Sequence, residues 1–190
     1  MKNVVAGVDE VGRGSLVGPV YAAAVILSNK IDKSKLKDSK KLSKKNLNIL
    51  EKYIKKNSHW SIGSASLKEI EKLNILNASL LAMKRAVKKL KKKPKLVLVD
   101  GNKTPKIKNY NLKYIIKGDQ KIPEISAASI IAKVSRDRLI SKMSKKYKGY
   151  LWNKNAGYGT KDHLSAIKKY GITKHHRRKF KPIHNILSLK

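Results

Sequence analysis

Residues 4–27, VVAGVDEVGRGSLVGPVYAAAVIL, decide the fold of this 190-residue chain. The apolar runs at 4–9 and 20–27 are each short enough to be buried strands. Glycine and proline punctuate the stretch between them, as they do in the connections of strands. The stretch therefore predicts two adjacent strands, paired like a β-hairpin across a glycine-rich connection.

The rest of the chain alternates between apolar runs and stretches of helical periodicity. Further strands are predicted at 58–66, 96–99 and 112–116. Residues 30–45 form a lysine-rich loop, and the predicted helices that follow are one capped by Ser43, then 67–92, 124–147 with Pro123 in its first turn, and 161–170 capped by Thr160. We therefore expect an α/β fold with a mixed β-sheet flanked by helices and a helical C-terminal part.

Charge is the strongest compositional signal. The chain has 46 Lys and Arg against 12 Asp and Glu, a formal charge of +34 at pH 7. A field of this sign favours polyanionic partners such as nucleic acid. The alternative is biased codon usage that places many lysines on solvated faces.

Several classes of protein are disfavoured by what the sequence lacks. It contains no cysteine, which excludes disulfides and thiolate zinc sites and favours a reducing compartment. No run approaches the ~20 apolar residues that a membrane span needs. We expect a cytoplasmic protein of one catalytic domain, residues 1–190, in which about 145–190 form a basic helical C-terminal part.

The few acidic residues include four at the ends of apolar runs. Asp9 and Glu10 follow VVAGV, Asp100 follows LVLV, and Asp119 follows YIIKG. Ligand sites form beyond the carboxyl ends of parallel strands, so these acids could converge at one edge of the sheet. Such a group suits two Mg²⁺ or Mn²⁺ ions acting on a phosphodiester. Each acid alone is also explained as a turn residue or a helix cap.

Two local features complicate this prediction. Neighbouring side chains of a strand point to opposite faces, so Asp9 and Glu10 share a site only where the strand ends or twists. Gly12-Arg13-Gly14 would let main-chain amides approach a ligand while Arg13 contacts a phosphate. The alternative is an ordinary turn with a solvated arginine.

Taken together, the motifs resemble those of one family, the type 2 ribonucleases H or ribonuclease HII. They occur in the family's order from about residue 4 to about residue 183, and they are GVDEVGRG at 7–14, GP at 18–19, DSKKLS at 38–43, VDG at 99–101, GD at 118–119, ISAASIIAKVSRD at 125–137 and NAGYGTKDH at 155–163. The resemblance implies a ribonuclease H-like fold and metal-dependent cleavage of the RNA strand of RNA/DNA hybrids. It also implies cleavage 5′ to single ribonucleotides in duplex DNA, leaving 3′-hydroxyl and 5′-phosphate ends.

The resemblance also assigns roles to residues. The family's metal-binding acids fall on the four acids named above, and its loop that contacts the 2′-hydroxyl nucleotide falls on Gly12, Arg13 and Gly14. Its tyrosine that stacks beside the RNA–DNA junction falls on Tyr158, although a loop aromatic packed on the core is the alternative. Ser15 stands where proline is common, and we expect it to loosen the loop.

The remaining expectations concern basic residues and assembly. Lys40 and Lys41 are candidates for holding backbone phosphate, and residues 175–179, HHRRK, for a phosphate-tracking patch. His163 is expected to be structural. We expect a monomer that binds RNA/DNA hybrids and DNA duplexes containing ribonucleotides. The alternatives are a nonenzymatic nucleic-acid-binding module, which the intact set of acids disfavours, and a DNA nuclease, which the glycine loop and Tyr158 disfavour.

Overall fold

The computed structural model describes residues 4–36 and 42–188. Within them lies a sheet with the strands β1 Val5–Val11, β2 Val20–Leu27, β3 Ser58–Ala65, β4 Leu96–Asp100 and β5 Leu112–Ile115. The strand order is β3-β2-β1-β4-β5. Strand β1 pairs antiparallel with β2 and parallel with β4, so the predicted mixed sheet and its first strand pair are confirmed.

The helices follow the sequence-based boundaries closely. The Ser43 and Thr160 hydroxyls accept hydrogen bonds from main-chain N–H groups three residues ahead, which confirms both predicted caps. In the described ranges, no helix combines the length and the apolar character that crossing a bilayer requires. The helices are α1 Lys44–Lys56, α2 Leu67–Lys88, α3 Gly118–Lys121, α4 Pro123–Lys146, α5 Trp152–Asn155, α6 Lys161–Tyr170 and α7 Lys181–Ser188.

Helix α2 differs from its prediction in two respects. It ends at Lys88 and does not continue to residue 92, and it is interrupted at Asn74, whose φ is +65°. Asparagine tolerates this left-handed conformation better than most residues. The Asn74 side-chain oxygen accepts a hydrogen bond from the Asn77 N–H at 3.0 Å, so the helix is capped a second time after the interruption.

Helices cover both faces of the sheet. Helix α2 packs on one face, while α1 and α4 pack on the other. Gly7 of β1 is the closest approach, because a Cβ atom there would lie 2.0 Å from the carbonyl carbon of Glu124. Only glycine permits this contact, and it places the first turn of α4 directly against the strand that carries Asp9 and Glu10.

The C-terminal part is helical, as expected, and has its own apolar cluster. The buried residues of this cluster come from the loop after β1, from α4 and from the C-terminal helices, and include Leu16, Val17, Ile140, Trp152 and Ile183. An isolated bridge joins Val17 to His176. The connection between β1 and β2 is therefore held by the C-terminal part of the chain.

Candidate active site

The acids lie where the parallel pair of strands separates. The pairing of β1 with β4 ends at Val8 and Val99. Asp9 and Glu10 continue β1 beyond that point, while Asp100 is the last residue of β4. Although Asp9 and Glu10 are neighbours on one strand, both interact electrostatically with Asp100 there. This resolves the difficulty that neighbouring residues of a strand point in opposite directions.

Asp9 is the most deeply buried of these acids, with 6% of its surface exposed. Burial raises the pKa of its carboxyl well above the usual range, and the charges of Glu10 and Asp100 raise it further. Hydrogen bonds from the Ser129 hydroxyl and the Glu10 N–H act in the opposite direction. Ser129 of α4 is a site residue that the sequence analysis did not single out.

Glu10 and Asp100 are both bound by donors of the protein. Burial raises the pKa of the Glu10 carboxyl, whereas Arg13, whose Nη1 lies 3.2 Å from Oε1 of Glu10, lowers it. Asp100 accepts a hydrogen bond from the Gly118 N–H at 2.7 Å, which brings β4 next to the start of α3. Asp119 is the next residue along α3.

The structure thus brings Asp9, Glu10 and Asp100 into electrostatic contact, with Asp119 one residue beyond a group that contacts Asp100. Among residues 4–36 and 42–188, no three His, Asp or Glu side chains are arranged closely enough to hold a metal ion as they stand. The carboxylates of Glu10 and Asp100 are turned toward protein donors. Each of these two carboxylates uses one oxygen for its contact with the donor, so its other oxygen is the one that would face a shared ion.

The two glycines of the loop have different surroundings. Gly12 has a φ of +90°, and a Cβ atom there would lie 2.2 Å from Nε of Arg136. Gly14 is open, since the nearest atom to a Cβ there is in the Tyr158 ring at 3.9 Å. The absence of a side chain thus serves internal packing at Gly12 and leaves space beside the loop at Gly14.

Tyr158 lies next to this loop although it is more than 140 residues away in sequence. Its backbone forms an isolated bridge with Ser15, and the Leu16 N–H donates to the Gly157 carbonyl at 2.8 Å. The Tyr158 side chain is 38% exposed. The tyrosine that the resemblance assigned to the junction is therefore beside the glycine loop, with an accessible ring.

Ser15 ties the two segments together. It is completely buried, and its hydroxyl lies 3.0 Å from the Gly157 carbonyl oxygen and 3.1 Å from that of Val17. The expectation that Ser15 loosens the loop is wrong, because the hydroxyl connects the glycine loop to the segment that carries Tyr158.

A buried histidine pair supports the same segment. Nδ1 of His163 lies 2.9 Å from the Tyr158 carbonyl, and Nε2 accepts from Nε1 of Trp152 at 2.9 Å and faces Nε2 of His176 at 3.2 Å. Nδ1 of His176 accepts from the Thr173 N–H at 2.8 Å. When His163 carries its proton on Nδ1 and His176 on Nε2, both rings are neutral, and Nε2 of His163 shares its one lone pair between the Trp152 and His176 donors. Burial, with the neighbouring His163 second, lowers the pKa of His176 to about 4.

Two of the predictions for basic residues have different outcomes. Residues 175–179 do not form one exposed basic patch, since His176 and Arg177 are buried and only Arg178 and Lys179 are exposed. His163 is structural, as expected. Lys40 and Lys41 lie outside the described residues.

A mixed sheet with acids gathered at the ends of its parallel strands is typical of the ribonuclease H-like nucleases, and comparison with known proteins identifies the family. The ribonuclease HII family model matches residues 6–183. A ribonuclease HII of Pelagibacter ubique is 70% identical over 184 residues, covering 97% of this chain and 99% of that protein. One from Neisseria meningitidis serogroup B is 48% identical over 189 residues, covering 99% and 97%.

The fold gives the same answer. The crystal structure of ribonuclease H2 from Pyrococcus horikoshii OT3 superimposes with a TM-score of 0.81 at 28% identity and covers 97% of both chains. The chain belongs to the ribonuclease HII family, as the motifs predicted. It is a ribonuclease H endonuclease that cleaves the RNA strand of RNA/DNA hybrids, and its family requires divalent metal ions.

Proposed function

We propose that this ribonuclease also cleaves 5′ to single ribonucleotides embedded in duplex DNA, and that it leaves 3′-hydroxyl and 5′-phosphate ends. The observation that carries this proposal is the position of the glycine loop between the acids and Tyr158. Arg13 of that loop pairs with Glu10 on one side, and Gly14 adjoins the Tyr158 ring on the other. A nucleotide bound at Gly14 would be close to both.

We propose that Asp9, Glu10, Asp100 and Asp119 hold two divalent ions, Mn²⁺ or Mg²⁺. The donor set fits, because hard carboxylate oxygens are the ligands these ions prefer. Burial, and then the charges of Glu10 and Asp100, raise the pKa of Asp9, and bound cations would offset this cost of the charged carboxylate. When bound, such ions would supply an activated water and stabilise the leaving oxygen. The Ser129 hydroxyl would orient the Asp9 carboxylate.

Recognition of the ribonucleotide needs groups that contact its 2′-hydroxyl without reading a base. The open face of Gly14 lets the main chain approach the sugar, and the half-exposed Arg13 is available to a neighbouring phosphate once Glu10 binds a cation. The accessible Tyr158 ring would stack on the adjoining sugar. Lys40 and Lys41 stay candidates for phosphate contacts.

Cleavage of four matched duplexes tests the proposal. They carry a continuous RNA strand, a single ribonucleotide, a single 2′-deoxy-2′-fluoro nucleotide at the same position, or DNA only. We expect Mn²⁺- or Mg²⁺-dependent cleavage of the first two alone. A ligase should rejoin the nick at the single ribonucleotide without further treatment, because the ends are a 3′-hydroxyl and a 5′-phosphate. Cleavage of the fluoro or all-DNA duplex, or products with 3′-phosphate ends, would contradict the proposal.

A matched pair of variants connects that activity to the acids. Asp100→Asn should abolish cleavage of both substrates. Glu71→Gln should retain it, because Glu71 lies on α2, which packs on a face of the sheet and does not carry any of the four acids. Titration of the free proteins with Mn²⁺ should show weakened binding for Asp100→Asn only. Unchanged Mn²⁺ binding would mean that Asp100 is not a ligand.

The organisation of the whole chain is a further part of the proposal. We propose that residues 1–190 form one catalytic domain that acts as a monomer in the cytoplasm. The apolar clusters of the sheet and of the C-terminal part share Phe180, which supports a single unit. A monomeric mass in light scattering and a single unfolding transition are the expected results.

A further inference from the structure

Two arginines are completely buried beside residues 12–19 and 156–158, which carry the glycine loop and Tyr158 and are called the substrate-reading segments below. Arg136 of α4 and Arg177, which precedes α7, each have 0% of their surface exposed. Removing a guanidinium from water costs several kcal/mol in general, and proteins usually offset this cost with a carboxylate partner. Neither residue has a role in the chemistry described above.

Arg136 connects two segments through three main-chain carbonyls. Its Nη1 donates to Ala156 at 3.0 Å, its Nη2 to Val17 at 2.9 Å and its Nε to Pro19 at 3.3 Å. The guanidinium also lies 5.7 Å from the centre of the Tyr158 ring. Arg136 therefore contacts both the segment that follows the glycine loop and the segment that precedes Tyr158.

Arg177 makes a similar set of contacts from the other side. Its Nη1 donates to the carbonyl of Arg13 at 2.9 Å, and its Nε donates to that of Gly18 at 2.9 Å. Nη2 is buried without a partner in the described part of the chain. The guanidinium stacks over Phe180 at 5.0 Å. Burial, with the charge of Arg136 second, lowers the pKa of Arg177 to about 9.

All these hydrogen bonds go to neutral carbonyls, so they hold main-chain positions without neutralising either charge. The carbonyls belong to residues 13–19 and to residue 156. These are the two segments that carry the glycine loop and Tyr158. Arg136 joins the two segments to each other, and Arg177 fixes the segment of the glycine loop. Two costly buried cations thus hold the main chain on which the glycine loop and Tyr158 lie.

We infer that Arg136 and Arg177 are positioning residues that set the distance and orientation of Gly12-Arg13-Gly14 relative to Tyr158, and thereby determine discrimination of a single ribonucleotide. The inference rests on the proposed function. It also explains Gly12, because a side chain there would displace the Arg136 guanidinium.

A single embedded ribonucleotide is the substrate that depends most on this spacing. It offers one register, so a shifted loop or ring has no other 2′-hydroxyl to contact. A continuous hybrid offers many registers, and a change in spacing is partly compensated. Loss of the arginine contacts to these carbonyls should therefore lower kcat/KM for the single ribonucleotide more than for the hybrid.

The test compares Arg136→Lys and Arg177→Lys with wild type on both substrates. Each change keeps a basic side chain of similar length but loses the planar set of donors. We expect kcat/KM on the single ribonucleotide to fall by about tenfold relative to the hybrid, with Mn²⁺ affinity of the free protein unchanged. Arg85→Lys is the matched control, since Arg85 also donates to a carbonyl, that of Ser64, but from α2. Its ratio of activities should stay at the wild-type value.

A double-variant cycle separates positioning from general destabilisation. In a Tyr158→Ala background, Arg136→Lys should change the ratio little further, because its effect passes through the position of Tyr158. If a lysine variant does not fold, Phe180→Leu, which removes the ring under Arg177, should shift the ratio in the same direction by a smaller factor. Equal losses on both substrates, or full additivity with Tyr158→Ala, would overturn the inference.

The outcomes also separate this inference from the proposed function. A wild-type enzyme that cleaves hybrids but no single ribonucleotide would overturn the proposed function and this inference with it. A wild-type enzyme that cleaves both, with variants that keep the wild-type ratio, would overturn this inference alone.

Discussion

The acid edge, where Asp9, Glu10, Asp100 and Asp119 lie, is next to the substrate-reading segments. The two regions differ in how the protein treats their buried polar groups. At the acid edge, burial first and the charges of Glu10 and Asp100 second raise the pKa of the Asp9 carboxyl. In the reading segments, buried donors fix the main chain. The Arg136 and Arg177 guanidiniums, the Ser15 hydroxyl and the His163 ring contact carbonyls of residues 13–19 and 156–158.

The difference shows which half of the site already has its final geometry in the protein without metal or substrate. The acid edge gathers carboxylates at a cost that a bound cation would offset, so we expect its final geometry to depend on metal. The reading segments are already fixed, which reduces the entropy lost when a nucleotide binds. Variants that affect one half and leave the other unchanged test this division.

The largest expected effect is at the acid edge. Asp9→Asn should lower kcat by about 10³-fold or more, because a neutral amide cannot replace a carboxylate as a ligand. The same change should raise the thermal midpoint in excess chelator, because it removes a desolvated charge that is repelled by Glu10 and Asp100. A variant less stable than wild type in chelator would show that Asp9 is also structural.

The next effect concerns the histidine pair and pH. The pKa of His176 is about 4 in the folded protein and about 6.5 in an unfolded chain, so the unfolded state binds a proton that the folded state does not. The free energy of unfolding should therefore fall as the pH drops from about 6.5 to about 4, by roughly 3 kcal/mol from this residue. Urea unfolding across that range measures it.

His176→Asn should flatten this dependence without changing Mn²⁺ affinity at pH 7. His184→Asn provides the control, since His184 is exposed on α7. If both variants keep the wild-type slope, the buried pair is not the source of the acid sensitivity.

Tyr158 should have an effect of about tenfold. Stacking on an aromatic ring contributes ~1–3 kcal/mol where bases are involved, and the lower end is expected for a sugar. Tyr158→Ala should thus slow cleavage at a single ribonucleotide by roughly tenfold and cleavage of a continuous hybrid by less. Tyr170→Ala, at a tyrosine that is 55% exposed, should leave the ratio unchanged. Equal fractional losses on the two substrates would identify Tyr158 as a packing residue.

Ser15 should have the smallest effect. Ser15→Ala removes a buried hydrogen bond and should lower the free energy of unfolding by about 1 kcal/mol. Ser58→Ala is the matched control, because the Ser58 hydroxyl is buried without a partner among the described residues and its removal should cost little. Equal losses in the two variants would show that the link from Ser15 to Gly157 contributes nothing.

Local sequence determined the elements of this fold. The apolar runs that end at Asp9 and Asp100 are strands, and Ser43 and Thr160 begin helices, because capping and periodicity act over a few residues. The placement of acids at strand ends followed from the same local pattern. Asn74 shows the limit of prediction from local sequence. The helical periodicity continues through this residue, so the pattern does not reveal the interruption of α2 there.

Tertiary structure alone decided which polar residues are buried. In sequence, His176 and Arg177 lie in a run of basic residues that is typical of a surface, and Ser15 lies in a glycine-rich connection. In the fold Ser15 and Arg177 are buried where they donate to main-chain carbonyls of segments far away along the chain, and His176 is buried against the His163 ring. A carbonyl is present at every residue and leaves no mark in the sequence, so only the folded chain shows which ones a buried side chain reaches.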